Sequence, residues 1–434
     1  MISPELLKED GLLSESDSVW ANYPQDSDSP VNFEEVVPKK MELLRFAFEK
    51  FKALGSEDKL QQEFQRFCDR TSWLDDYTLY MSLKEEYGNS QWTDWDANIR
   101  KRDPGTIQHL KEKLAEPIYF QKFLQFQFFR QWFRLKSYTN QQGIEIIGDI
   151  PIYVAHDSAD VWANQSAFAL DPETGAAKLM AGVPPDYFSA TGQLWGNPVY
   201  NWEQLENENY SWWMQRFRAT LSYVDLVRID HFRGFEAYWA VPQGETTAMN
   251  GEWIPGPGEA FFEALEAELG KLPIIAEDLG LITRGVSKLR DRFNLPGMKV
   301  LQFAFVPSPE VGFIPCNFST TNCIVYSGTH DNNTTLGWYE DEMTDESRQK
   351  LWSYLGKNPD DSNVHWELIR LAFSTIAYQA IVPMQDVLGV RERMNIPGVG
   401  EGNWQWRYSS TALTPEIGDR LKVLTEIYNR APKR

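Results

Sequence analysis

Three short apolar runs in this chain end in acids. Leu226-Val227-Arg228-Ile229 leads to Asp230, Pro273-Ile274-Ile275-Ala276 to Glu277 and Asp278, and Cys323-Ile324-Val325-Tyr326 runs through Ser327-Gly328-Thr329-His330 to Asp331. Runs of this length bounded by turn residues read as buried strands. Asp230, Glu277 and Asp331 are 47 and 54 residues apart, room for a βα unit or two between them. In a (β/α)₈ barrel the carboxyl ends of all strands open on one face, and that face carries the active site. Arg228 inside an apolar strand needs a partner, and Asp230, two residues on, points to the same side. Such a pair would keep Asp230 ionised and aimed. Taken alone, a structural Arg–Asp pair explains that stretch equally well. Three strand-end carboxylates together, with Arg228 and His330 among them, point instead to sugar chemistry carried by two carboxylates.

The rest of the chain fits an α/β reading. Residues 1–32 read as an irregular lead-in, and 33–143 as a mainly helical insertion subdomain with helices near Val37–Leu54, Glu57–Cys68 and Pro117–Tyr138. The last carries a stripe of Phe120, Phe123, Leu124, Phe128, Trp132 and Leu135 that reads as core. Residues 144–434 alternate strands and helices. Strand candidates begin at Gly143–Val154 and continue with Leu226–Ile229, Ile274–Ala276, Met298–Phe305, Cys323–Ser327 and Ala380–Leu388. Helical patterns fill the gaps at Glu203–Tyr223, Glu259–Leu269, Arg284–Phe293, Glu346–Leu355 and Asn363–Gln379, with a last one at Pro415–Asn429. Alternation of this kind predicts a parallel sheet with helices outside it, a (β/α)₈ barrel with helical and loop insertions. The insertion 155–202 contains GVPPDYFSATGQLWGNP (182–198), whose Gly and Pro argue against a regular element. Tyr187, Phe188 and Trp195 are bulky for an idle loop; they suit a lid that stacks on a glucan, or a loop folded on its own apolar core.

Composition narrows the function classes. A net charge of −20 repels phosphate-rich partners, which argues against nucleic acid and anionic membranes. The 17 Trp, 18 Tyr and 25 Phe suit a carbohydrate partner, because flat sugar faces stack on aromatic rings. The five histidines (109, 156, 231, 330, 365) show no ligand spacing, and Cys68, Cys316 and Cys323 form neither a disulfide framework nor a zinc pattern. No metal or other cofactor is expected. There is no run of 18 apolar residues and no signal-peptide pattern at the start, so a cytoplasmic protein is expected, or a plastid one in a eukaryote.

Seven segments carry a resemblance: GDIPIYVAHDSADVWAN (148–164), GVPPDYFSATGQLWGNPVYNW (182–202), VRIDHFRGF (227–235), IIAEDLG (274–280), LPGMKVLQFAF (295–305), YSGTHDNNTTLGWY (326–339) and MQDVLGVRERMNIPGVGEGNWQWR (384–407). Together they resemble the 4-α-glucanotransferases of glycoside hydrolase family 77, the amylomaltases or disproportionating enzymes. The resemblance implies that Asp230 is the nucleophile, Glu277 the general acid/base and Asp331 the transition-state stabiliser. It implies substrate-binding roles for Asp149, Asp186, Tyr187, Phe188, Gln193, Trp195, Arg228 and His330. The implied substrates are maltooligosaccharides, amylose and other α-1,4-glucans. Apolar neighbours and nearby carboxylates should raise the Glu277 pKa so that it can donate a proton. Family members begin with two barrel strands ahead of a segment like ISPELLKEDGLL, which is residues 2–13 here. Six strand candidates against the eight of a closed barrel agree with that difference. Two alternatives stand beside transfer: an α-1,4-glucan hydrolase, against which the 182–198 segment argues, and a catalytically weak glucan-binding fragment.

Overall fold

A computed structural model describes the chain except residues 22, 24–27, 186–188, 307–310, 359–362 and 432–434. The chain divides into two compact units, residues 1–22 with 41–295 and residues 23–40 with 296–434. Among the described residues there are ten strands: β1 (Ile147–Pro151), β2 (Leu179–Val183), β3 (Gln193–Pro198), β4 (Leu226–Asp230), β5 (Ala237–Pro242), β6 (Glu252–Pro255), β7 (Ile274–Ala276), β8 (Gly297–Val300), β9 (Cys323–Tyr326) and β10 (Gln379–Ile381).

In the first unit β1, β4 and β7 form a parallel sheet in that order. The helices Trp202–Asn207, Ser211–Tyr223 and Gly258–Leu269 fill the stretches between strands. These crossovers are what parallel pairing requires. Val227, Ile229, Ile274, Ile275 and Ala276 are buried, as apolar strands covered by helices must be. In the second unit β8, β9 and β10 are likewise parallel, in the order β10-β9-β8. Its core includes Trp366, Ile369, Val387 and Leu424. All six expected strands are present, but four are shorter: β1 covers only Ile147–Pro151, β9 stops one residue early at Tyr326, and β8 and β10 are cut short by the elements that follow them. β8 ends at Val300, where a 3₁₀ turn (Leu301–Phe305) takes over and buries Leu301, Gln302, Ala304 and Phe305. β10 ends at Ile381, because Pro383 offers no N–H to a ladder and instead caps the helix Met384–Leu388.

The region between residues 33 and 143 is helical throughout its long elements: Phe33–Lys52, Lys59–Arg70, Leu74–Glu86, Pro104–Lys113 and Ala115–Gln141. Asp58 and Asp103 accept backbone N–H groups at two of the starts, the usual work of an N-cap. Phe51 lies 4.9 Å from Phe123 and 5.3 Å from Phe64, ring centre to ring centre, and Phe120 and Phe123 of the aromatic stripe are core, while Leu124, Phe128 and Trp132 are half-buried. Leu135, counted in that stripe, is exposed instead. Residues 1–32 are not wholly irregular. Ser3 caps a helix, Pro4–Glu9, whose Pro4 is preset for the first turn and whose Leu7 is buried. A further short helix covers Ser18–Ala21.

The insertion 155–202 departs most from expectation. Far from excluding regular structure, it supplies β2 and β3, which pair antiparallel and join β5 and β6 in a four-stranded sheet of order β3-β2-β5-β6. Its glycines are what let the strands approach. A Cβ on Gly182 would lie 2.4 Å from the Gln193 carbonyl oxygen, and Gly192, at φ +67°, would put one 2.3 Å from the Val183 oxygen. Gly192→Val therefore adds left-handed strain of about 1–3 kcal/mol for a branched residue, besides the clash. The expected outcome is a hairpin displaced at Gln193 and Trp195. A calorimetric scan should show the melting temperature lowered by several degrees, because β2 of the same sheet sets Ala181 into the large core.

Candidate active site

Register gathers the charged residues of the first unit. In the β1–β4 ladder Asp149 pairs with Arg228 and Pro151 with Asp230; in the β4–β7 ladder Ile229 pairs with Ala276, one step before Glu277. Paired residues in a parallel sheet share a face and alternate residues return to it, so Asp149, Arg228, Asp230 and Glu277 lie on one side. Past the end of β7 the Glu277 N–H still reaches the Ile229 carbonyl at 3.1 Å. Arg228, with only 11% of its side chain exposed, forks between two acids. Its Nη2 donates to Asp230 Oδ1 at 2.9 Å and its Nη1 to Asp149 Oδ2. The buried arginine thus has its partner, and Asp149 is a second one.

Glu277 is held by the backbone. His231 follows β4 in the left-handed region (φ 54°), which turns its N–H onto Glu277 Oε2 at 2.8 Å. Leu279 N–H reaches Oε1, also at 2.8 Å. Burial and the charge of Asp230 nevertheless push the Glu277 carboxyl up to about 7; Arg228 and the two N–H groups pull it down by less. The carboxyl is thereby fixed in place yet able to carry a proton near neutrality, the property a general acid needs. The His231 imidazole is pushed down to about 3 by burial and Arg233, so it is neutral. Its Nε2 has no hydrogen-bond partner among the described residues, and its ring meets Trp195 edge-on at 4.9 Å. Strand alternation does not predict that orientation, because it stops where the backbone turns left-handed. Trp195 is 37% exposed and its Nε1 lies 3.3 Å from Gln193 Oε1. Asp186, Tyr187 and Phe188, the centre of the expected lid, lie outside the described residues.

Asp331 and His330 belong to the second unit, in the loop after β9. Asn395 Nδ2 donates to Asp331 Oδ1 at 2.6 Å, and His330 Nε2 lies 3.3 Å from Oδ2. Arg393 Nη2 donates to the Asp331 carbonyl at 2.8 Å, and Trp404 packs on His330 with ring centres 5.3 Å apart. Asn395, Arg393 and Trp404 were absent from the expected site. Their segment, 384–407, carries part of the resemblance, but no spacing ties it to an acid more than 60 residues earlier.

Residues 1–413 match the family described as 4-alpha-glucanotransferase, glycoside hydrolase family 77. The chain belongs to that family. Curated relatives match over nearly its whole length. The 4-alpha-glucanotransferase of Synechocystis is 50% identical over 434 residues, which is 99% of this chain and 85% of the relative. That of Streptococcus pneumoniae is 44% identical over 433 residues, 99% of this chain and 84% of the relative. Among solved structures, an amylomaltase from Streptococcus agalactiae in complex with acarbose superposes with a TM-score of 0.94 at 36% identity, covering 99% of this chain and 86% of that one. The fold is accordingly the TIM-barrel-type glycosidase fold of family 77 with its insertions. No helix among the described residues is long and apolar enough to cross a membrane.

A pH prediction follows from Glu277. If it donates the proton, the active form is the protonated one, and that fraction falls as pH rises past about 7. Above that point kcat/KM should drop about tenfold per pH unit. Arg228 lowers the Glu277 pKa, so Arg228→Met should move this alkaline limb to higher pH while reducing kcat/KM about 10²-fold through a misplaced Asp230. A pH–rate profile of both proteins with maltotriose checks both statements.

Proposed function

We propose that this chain, a 4-α-glucanotransferase by family, moves α-1,4-glucan segments between maltooligosaccharides by a double displacement at Asp230. The Asp230 carboxylate attacks the anomeric carbon of the donor. The bond to the leaving oxygen breaks as Glu277 gives that oxygen its proton. A shorter glucan departs, leaving a glucosyl ester on Asp230. Glu277, now ionised, takes the proton from the 4-hydroxyl of a second glucan, whose oxygen attacks the same carbon and frees Asp230. Two inversions retain the α configuration.

The observation that carries this reading is the pair at the ends of β4 and β7. Asp230 is held by the Arg228 cation, and Glu277 beside it has a pKa raised to about 7 largely by burial and by Asp230 itself. A carboxyl raised so that it can carry a proton, beside a second carboxylate clamped by an arginine, is the arrangement retaining sugar chemistry uses. In this reading Asp331, fixed by Asn395, stabilises the oxocarbenium-like state through sugar hydroxyls. Asp149 and Arg228 bind the donor sugar, and the resemblance gives His330 a substrate-binding role as well. Trp195 and Gln193 meet the glucan and favour a sugar acceptor over water; the binding roles that the resemblance implies for Asp186, Tyr187 and Phe188 fall outside the described residues. Longer α-1,4-glucans such as amylose are donors by the same chemistry, and the net charge of −20 disfavours nucleic acid as a partner. The anomeric form of the newly made product, followed by proton NMR before mutarotation, tests the reading. A new α linkage is expected; a β linkage or β product overturns double displacement.

A further inference from the structure

We infer that Asp386 is a positioning residue for Asp331. A single buried carboxylate, given no role so far, pins both ends of the loop that carries His330 and Asp331. The inference rests on Asp331 acting in the reaction as proposed above.

Asp386 is 1% exposed and lies in the short helix Met384–Leu388 that follows β10. A buried carboxylate is costly unless it is fully hydrogen-bonded, so where its donors come from is informative. Ser327 Oγ donates to Oδ2 at 2.6 Å, Thr335 Oγ1 to the same oxygen at 2.8 Å, and the Thr335 N–H to Oδ1 at 2.7 Å. Ser327 is the residue directly after β9, and Thr335 opens the helix Thr335–Gly337. Between them run Gly328 to Thr334, with His330 and Asp331 at the centre. All three donors therefore belong to the two feet of one arch. A carboxylate serving its own helix would have taken an N–H of that helix instead.

Further contacts fix the arch between its feet. Gln302, buried beneath it, donates to the Asn333 carbonyl at 2.8 Å. Gly328 passes so close to Gln302 that a Cβ there would lie 2.8 Å from its amide nitrogen. Within the loop Asn332 Oδ1 accepts both the N–H and the hydroxyl of Thr329, at 2.9 Å each. The arch has little freedom left, so Asp331 is already placed when a glucan arrives. Catalytic groups held in this way spare the reaction the cost of ordering them, and a misplacement of about 1 Å costs about 10²-fold in rate.

The test uses the full chain with maltotriose, reading kcat and KM separately, with a melting curve for each protein. The variants are Asp386→Asn, Ser327→Ala, Asp331→Asn and the double variant Asp331→Asn/Asp386→Asn. An amide at 386 keeps the shape but accepts through one oxygen only, while the two hydroxyls can still turn towards it. Asp386→Asn should lower kcat about 30-fold with KM within about twofold, and Ser327→Ala should lower it about fivefold. Asp331→Asn should cost about 10³-fold, and adding Asp386→Asn to it should cost nothing more, because the effect passes through Asp331. A folded Asp386→Asn with kcat within twofold of the unaltered chain overturns the inference. So does a double variant that loses the product of the two single effects. Should Asp386→Asn fail to fold, an unchanged kcat in Ser327→Ala overturns it instead. Asp331→Asn that keeps kcat overturns the reading of Asp331 itself, an outcome distinct from the others.

Discussion

Asp230→Asn is expected to reduce transfer by about 10⁴-fold or more, the scale at which loss of a covalent nucleophile is felt. The substitution is nearly isosteric, and Arg228 Nη2 can still donate to the amide oxygen in place of Oδ1, at 2.9 Å in the native chain. Folding should therefore survive: the strand β4 is anchored by Val227 and Ile229, both fully buried, and not by the exposed tip of Asp230. A loss of activity with an unchanged melting curve would locate the defect in chemistry. The variant should also lower the Glu277 pKa, because the Asp230 charge is one of the two influences raising it. Any residual activity should then have its alkaline limb at lower pH than the native chain, a shift that a merely misfolded fraction would not produce.

Glu277→Gln has the second large effect, and its character differs. A glutamine has no transferable proton, and its single acceptor oxygen can satisfy only one of the two N–H groups, from His231 and Leu279, that the carboxylate satisfies now. With maltotriose, whose leaving oxygen must be protonated, kcat should fall about 10³–10⁴-fold. With α-maltosyl fluoride, whose leaving group departs without help, attack by Asp230 should persist. The maltosyl ester should then form and accumulate, since no base remains to activate the acceptor. Intact-mass spectrometry should show a maltosyl adduct on the Glu277→Gln chain, and a peptide map should assign it to Asp230. Equal loss with both donors and no adduct would mean that Glu277 serves structure or binding and is not the proton donor.

The strand-end acids are legible in the sequence because parallel strands buried on both faces are continuous apolar runs, and a carboxylate interrupts such a run only at its end. Arg228 was legible for the same reason: a cation in an apolar strand demands a partner, and period-two spacing names Asp230. That argument is blind to Asp149, which reaches Arg228 across the sheet through register with a strand 79 residues away. The β2–β3 hairpin was hidden by its own glycines and prolines. Gly182 and Gly192 look like breakers in isolation and become spacers only once the opposing strand is in place. β5 and β6, their partners in the sheet, are short and lie far along the chain. Asn395, Arg393 and Asp386 share a further property. Each makes a polar contact with a segment more than 50 residues away, and a single polar side chain in a loop or a five-residue helix carries no periodicity to read. The helix Pro4–Glu9 was missed differently, since Ser3-Pro4 is a start signal but six residues are too few for an amphipathic pattern.

The measurement that bears most directly on the whole account is the product pattern of the native chain with maltotriose, separated by size over time. Transfer from an Asp230 ester to a second sugar predicts glucose together with a ladder of maltodextrins longer than the substrate. Glucose and maltose alone would mean that water takes the glucosyl group, and the account of a site built for a sugar acceptor would be contradicted.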